Sequence, residues 1–132
     1  MASEASRELL APREDVWTFL AEPYHLPDWW PGITGVEPDR RGFAPGARWK
    51  VQALKRNVFT GARSVETMLL VREIDLYERW SWHLLAPETD TEIRLRSSAP
   101  DRTVVTVTTS ARFARAAVQR LYDLVQTAAG FR

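Results

Sequence analysis

Arg7, Tyr24 and His25 are the side chains whose type and position could act on a bound molecule. Residues 4–10 read as a strand in which Ala5, Arg7 and Leu9 share one face, while Ser6 and Glu8 share the other. Arg7 is then the one strong charge on an apolar parity. A guanidinium in an apolar pocket is costly unless paired, so Arg7 is a candidate partner for an anionic or carbonyl group of a ligand. Near a chain end the same side chain can also run its stem to water, or the strand's register can be shifted by one residue. Tyr24 and His25 set a phenol beside an imidazole, able to orient a substrate or pass a proton. A solvated loop pair is the other reading of them. His83 falls on the polar parity of its own segment and reads as a surface residue. Glu66 and Glu92 fall outward and take no catalytic role, so the catalytic set stays unknown beyond Arg7, Tyr24 and His25. The chain has no cysteine, which excludes disulfides, cysteine nucleophiles and thiolate metal sites. Its histidines, His25 and His83, lie outside any ligand-spacing motif, and no metal or cofactor is expected.

These groups need a scaffold, and alternation supplies most of it. Trp49, Val51 and Ala53 oppose Arg48, Lys50 and Gln52. Val65, Thr67, Leu69 and Val71 oppose Ser64, Glu66 and Arg72, and Trp80, Trp82 and Leu84 oppose Arg79, Ser81 and His83. Ile93 and Leu95 oppose Glu92, Arg94 and Arg96, while Val105 and Val107 oppose Thr106 and Thr108. Period-two patterning in every segment predicts an antiparallel sheet with one wet and one covered face. Turns are expected at 39–46, 57–61, 87–90 and 99–101, where Pro, Gly, Asn and Asp gather. Residues 33–36 start a further strand.

Two short helices precede that run. Pro12 stands where the first begins, Glu14 and Asp15 suit its first turn, and Val16, Phe19 and Leu20 give it an apolar side. Glu22-Pro23 ends it, and residues 24–30 form another short helical piece before Pro31-Gly32. The last stretch, 110–131, reads as one long helix. Phe113, Ala117, Leu121, Leu124, Val125 and Ala128 form its stripe, with Ser110 as N-cap and Gly130 past its end. Arg112, Arg115, Gln119, Asp123 and Gln126 point to water. The predicted fold is α+β: a curved antiparallel sheet of about seven strands gripping a long C-terminal helix, with two short helices between the first two strands. One helix cannot cover so wide a sheet, so the sheet must curl and leave a gap.

Composition narrows the setting. At 132 residues, residues 1–132 are expected to form a single domain able to bury roughly two-thirds of its unfolded surface. Eighteen basic residues against 17 acidic ones leave a net charge of +1, which gives a nucleic-acid partner no support. No apolar run approaches the ~20 residues of a membrane span, and the N-terminus lacks the pattern of a signal peptide. A cytoplasmic location is the expectation.

Several motifs resemble the START-like, or SRPBCC, superfamily, which includes the birch pollen allergen and polyketide cyclases. Leu9-Leu10-Ala11-Pro12-Arg13-Glu14-Asp15-Val16-Trp17 is similar to that family's strand-to-helix junction. His25-Leu26-Pro27-Asp28-Trp29-Trp30-Pro31-Gly32-Ile33 resembles its tryptophan–proline segment, and Gly46 before Arg48-Trp49 resembles the glycine that opens its third strand. The turn Asp75-Leu76-Tyr77-Glu78 departs from relatives that carry prolines there. The resemblance implies a helix-grip fold around a hydrophobic pocket, with Tyr24 and His25 bordering its mouth.

The inward set is therefore the candidate pocket lining: Trp49, Val51, Thr67, Leu69, Trp80, Trp82, Ile93, Leu95, Val105 and Val107 from the strands, Trp30 from the short helices, and Leu121, Leu124 and Val125 from the terminal helix. Its tryptophans offer area and an N–H donor to an aromatic or polycyclic guest, or simply fill the core. Three functions follow. The first is a carrier of a hydrophobic, aromatic or lipid-like small molecule. The second is a polyketide cyclase or dehydratase using Arg7, Tyr24 or His25. The third is a protein-interaction module resembling chaperone-ATPase activators, whose Trp29-Trp30 pair is reminiscent of those relatives. An acidic protein partner on the outer face, at Arg48, Lys50, Arg79, Arg94 and Arg96, is a lesser possibility beside a plainly solvated face.

Overall fold

The computed structural model describes residues 3–57, 59 and 61–126. Seven strands form a single antiparallel sheet: β1 (Ser3–Leu9), β2 (Ile33–Glu37), β3 (Arg48–Asn57), β4 (Gly61–Asp75), β5 (Arg79–Leu85), β6 (Glu88–Ala99) and β7 (Arg102–Thr109). Their spatial order is β1-β7-β6-β5-β4-β3-β2, so the first two strands of the chain occupy opposite edges. The link between them must cross the whole sheet. It does so through α1 (Arg13–Leu20), a single 3₁₀ turn (Pro23–His25) and α2 (Leu26–Trp29). The last element, α3 (Ala114–Gln126), packs chiefly on β1 and β7 and touches α2. This is the helix-grip arrangement expected from the sequence.

Alternation assigned the faces correctly in β3, β5, β6 and β7, because each is a long strand with one side on the core. Register shifts occur in β2, β4 and β6, and such bulges bend a strand and sharpen its twist. The shift between Val71 and Glu73 matters most. It keeps Val71 inward, then turns Ile74 inward against Trp80 and leaves Glu73 and Asp75 outside.

Two boundaries differ from expectation. The turn expected at 87–90 is confined to Ala86-Pro87, and β6 already begins at Glu88. Pairing of His83 with Asp90, and the Asp90 amide donating to Ser110 Oγ at 2.9 Å, carry the strand further than its polar composition suggested. That same bond explains the second difference. Ser110 caps the end of a strand rather than a helix, and α3 starts only at Ala114, after Phe113 has packed on Gly32. Gly130 and Ala128 lie outside the described residues.

Position 32 tolerates nothing larger than glycine. Its φ is +87°, and a Cβ there would lie 3.1 Å from Phe113 Cε2. Its carbonyl also accepts from the Leu54 amide at 2.7 Å, tying α2 to β3. Gly32→Ala is expected to destabilise the fold by about 1–3 kcal/mol, seen as a melting temperature lower by several degrees. An unchanged melting curve would show that neither the strain nor the contact matters.

Asp39 organises the loop that leads into β3. Its carboxylate accepts from the amides of Arg48 (2.9 Å), Arg41 (3.0 Å) and Gly42 (3.3 Å). The Arg48 amide, helped by the other two, holds this carboxyl below the usual aspartate range. A carboxylate favoured in the folded state stabilises above its unfolded pKa, and that stability disappears as pH falls through the folded one. Asp39→Asn should therefore melt below the wild type at neutral pH, with the gap closing as pH falls below the ordinary aspartate range. A gap that persisted in acid would contradict this account.

Candidate functional site

The inner face of the sheet is an aromatic wall at one end. Trp49, Val51, Leu69, Trp80, Trp82, Ile93, Leu95, Val105 and Val107 all lie on it, none more than 5% exposed. Trp29 and Trp30 descend onto them from α2. Ring centroids are 6.1 Å apart for Trp29–Trp80 and for Trp29–Trp82, 5.1 Å for Trp30–Trp82 and 4.6 Å for Trp80–Trp82. Most of these pairs meet edge to face, the geometry that sets the positive edge of one ring on the negative face of another. Phe43 joins them from the loop before β3, 4.9 Å from Trp80 and 5.7 Å from Trp17. Neither Phe43 nor Trp29 nor Trp17 stood among the expected lining residues. Phe43 sits in a Gly- and Pro-rich loop with no periodicity to assign it a face.

The indole N–H groups of this wall are not all satisfied. Trp49 Nε1 donates to the Gly42 carbonyl at 2.7 Å, whereas Trp29 Nε1 and Trp80 Nε1 are buried without an acceptor among the described residues. Buried donors without partners lose their hydration with no return, so each marks a place where an acceptor would be welcome.

The opposite end of the same face is open. Val65 and Thr67 of β4 continue the inward parity but remain half-buried, as do Phe113, Leu124 and Val125 on the helix side. Leu121 is fully buried. The Thr67 hydroxyl oxygen accepts from the Ala86 amide at 3.0 Å, which leaves its own hydrogen available. Between the two ends lies an apolar crevice of about 30 Å³, lined by Trp30, Ile33, Ala53, Leu84, Pro87, Thr89, Phe113 and their neighbours. None of its lining side chains titrates.

The three candidate catalytic residues are all placed elsewhere. Arg7 does face inward, as its parity predicted, but α3 claims it. Its guanidinium stacks 3.7 Å above the Tyr122 ring and donates to Gln119 Oε1. Arg7 is thus a clamp between β1 and α3, and Gln119, expected in water, is its partner. His25 is held at both faces: its ring stacks on Phe19 at 4.3 Å, and Nδ1–H donates to the Phe19 carbonyl at 2.8 Å. It buttresses the corner between α1 and the 3₁₀ turn. Tyr24 projects outward, 63% exposed. His83 lies on the outer face as expected and pairs with Asp90 at 2.8 Å.

The outer face neutralises itself locally. Arg79 meets Glu73 at 2.6 Å, Asp75 at 2.9 Å and Glu92 at 3.4 Å, and Arg94 also contacts Glu92. The hydrogen bonds that the Arg79 guanidinium donates to Asp75 and Glu73 push it further above its ordinary pKa. Lys50 reaches Glu37 at 4.0 Å. Trp29 and Trp30, the pair tied by resemblance to outer-surface partners, are 0% and 3% exposed and belong to the interior.

A family assignment matches this geometry. Residues 2–131 match the family described as polyketide cyclase / dehydrase and lipid transport. The chain belongs to that family. Among solved structures, the family's fold recurs in a START superfamily protein from Mycobacterium smegmatis, with TM-score 0.69 and 13% identity over 96% of this chain and 97% of that one. It recurs in norcoclaurine synthase of Thalictrum flavum, with TM-score 0.68 and 17% identity over 96% and 94%. A protein of Nitrosomonas europaea gives TM-score 0.69 and 17% identity over 96% and 95%. Identities this low establish the shared fold alone. No curated protein sequence matches the chain. Among the described residues, no helix of this family member is long and apolar enough to cross a membrane, and no cluster of acidic or histidine side chains is arranged to hold a metal.

If Arg7 is a clamp, Arg7→Ala should lower stability by about 1–2 kcal/mol and speed amide exchange across α3. Unaltered melting and exchange would remove that assignment.

Proposed function

We propose that the protein binds an uncharged, hydrophobic small molecule, aromatic or lipid-like, at the open end of the concave face. The observation that carries this reading is the half-burial of Val65 and Thr67. Both continue the inward row of β4, yet Val65 stands outside the core cluster that Leu69 and Val71 join two and three pairs further along. An inward-facing valine that is only half-buried is apolar surface in search of a partner. The crevice at Trp30 borders Ala53, the register partner of Val65, and Trp30 packs on the indole wall, where the N–H groups of Trp29 and Trp80 favour a guest with a carbonyl, ether or hydroxyl oxygen. As it stands the crevice holds about 30 Å³, so a guest must displace Phe113 or rest on the open end.

Binding is favoured over cyclase or dehydratase chemistry. Proton transfer needs a titratable group within hydrogen-bond reach of the reacting atom. Arg7 and His25 are engaged in structural contacts, and Tyr24 faces solvent. The donors that remain, two indoles and a threonine hydroxyl, can orient a carbonyl but cannot pass protons at neutral pH. Among the similar structures, norcoclaurine synthase carries a transition state analogue, which keeps a catalytic relative in view.

Fluorescence titration with the uncharged dye N-phenylnaphthylamine tests the reading. Saturable binding is expected, accompanied by quenching of tryptophan emission. Val65→Trp should fill the open end and weaken the dye at least about tenfold, with little change in melting temperature. Equal dye affinity in that variant would refute the site. Turnover of a poly-β-ketone surrogate above background would favour the enzyme instead.

A further inference from the structure

A second site lies on the other side of the sheet. Arg13 at the start of α1, Arg79 on β5, and Arg94 and Arg96 on β6 line a groove of about 460 Å³ together with Asp75 and Glu78. Its size falls in the range of small-molecule sites. Its charges are unevenly paired. Asp75 is engaged with Arg79, which Glu73 and Glu92 also contact, so that guanidinium is fully partnered. Arg94 makes one contact, to Glu92, and its side chain stays 61% exposed. Arg13 and Arg96 have no carboxylate within ion-pairing distance among the described residues. Arg13 and Arg96 are thus the two guanidinium groups of the groove outside any ion pair among the described residues, and the Glu78 carboxylate beside them is likewise outside one.

Arg13 carries the second observation. Its Nε is shielded from solvent and has no hydrogen-bond partner among the described residues, so one donor of a charged group is left idle behind the groove surface. Arg94 and Arg96 stand two residues apart on one face of β6, about 7 Å along the strand. Arg13 approaches from the helix side. Planar guanidinium forks converging from two walls suit oxyanions, which accept paired N–H bonds, better than they suit a single point charge.

We infer that this groove binds a small polyvalent oxyanion, with Arg13, Arg94 and Arg96 as its ligands. The site is separate from the concave face, and an uncharged guest there would not compete with it. Isothermal titration of the full chain with inorganic pyrophosphate tests the inference, with citrate as the carboxylate arm and sodium chloride at matched ionic strength as control. Saturable pyrophosphate or citrate binding is expected, and the stronger of the two identifies a phosphate or a carboxylate ligand. Arg96→Gln, an exposed strand position, should weaken it at least fivefold, and Arg13→Gln likewise. Arg115→Gln, on the exposed face of α3, should leave it unchanged, and N-phenylnaphthylamine binding should be untouched in all three. Heats no larger than those of sodium chloride would overturn the inference, as would equal weakening by Arg115→Gln. Binding of an oligoglutamate peptide with neither small anion would overturn it too, assigning the groove to an acidic protein.

Discussion

The edge-to-face packing of α2's indoles against those of β5 is the contact on which the rest of this molecule depends. A seven-stranded sheet buries one face, and the helix that closes it reaches only β1, β7 and α2 in force. Something must cover the inner faces of β3, β4 and β5. Trp29 and Trp30 do so at one end by lying on Trp80 and Trp82, and Phe43 extends the cover toward Trp49. Large rings suit this task because each removes a great deal of apolar area from water while fixing few rotatable bonds.

Cover supplied by side chains rather than by a second helix has a geometric consequence. It ends where the tryptophans end. Beyond Trp30 and Trp82 the inner face passes to Ala53, Leu84, Val65 and Thr67, smaller groups that do not meet α3. The concave face is therefore graded, dry around Trp49 and Leu69 and open toward the β3–β4 hairpin. The part of the sheet that aromatic packing does not reach is where the proposed ligand would rest. Arg7 contributes from the far side. By holding Gln119 and Tyr122 it draws α3 over β1 and β7 and so away from β4.

The outer face follows a different logic. Its strands set opposite charges within reach, Arg79 with Glu73, Asp75 and Glu92 and Arg94 with Glu92, so these cations find carboxylates on their own or the adjacent strand. Exposed pairs of this kind add little stability singly, but they leave little net field over most of the face. The exception at Arg13 and Arg96, which lie outside any ion pair among the described residues while Arg94 is held by Glu92, stands out against that background. It arises where α1 meets the sheet's end and no acidic partner is in reach of Arg13.

The face of nearly every strand residue was legible from alternation alone, because a strand with one buried side has no other way to arrange its apolar groups. Arg7's inward parity was legible for the same reason. Its partners were not, since Gln119 is 112 residues away and belongs to a helix whose rotation over the sheet no local pattern states. Phe43 and Trp29 were missing from the expected lining because a loop and a single-turn helix carry no period. Ser110 looked like a helix cap because its hydroxyl suits either role, and only the proximity of Asp90 settled which. The amino-acid sequence by itself determined which residues turn inward and that one helix could not cover them all. Whether six tryptophans would line the remaining space or fill it was decided only in three dimensions, because edge-to-face packing depends on how rings from separate elements meet.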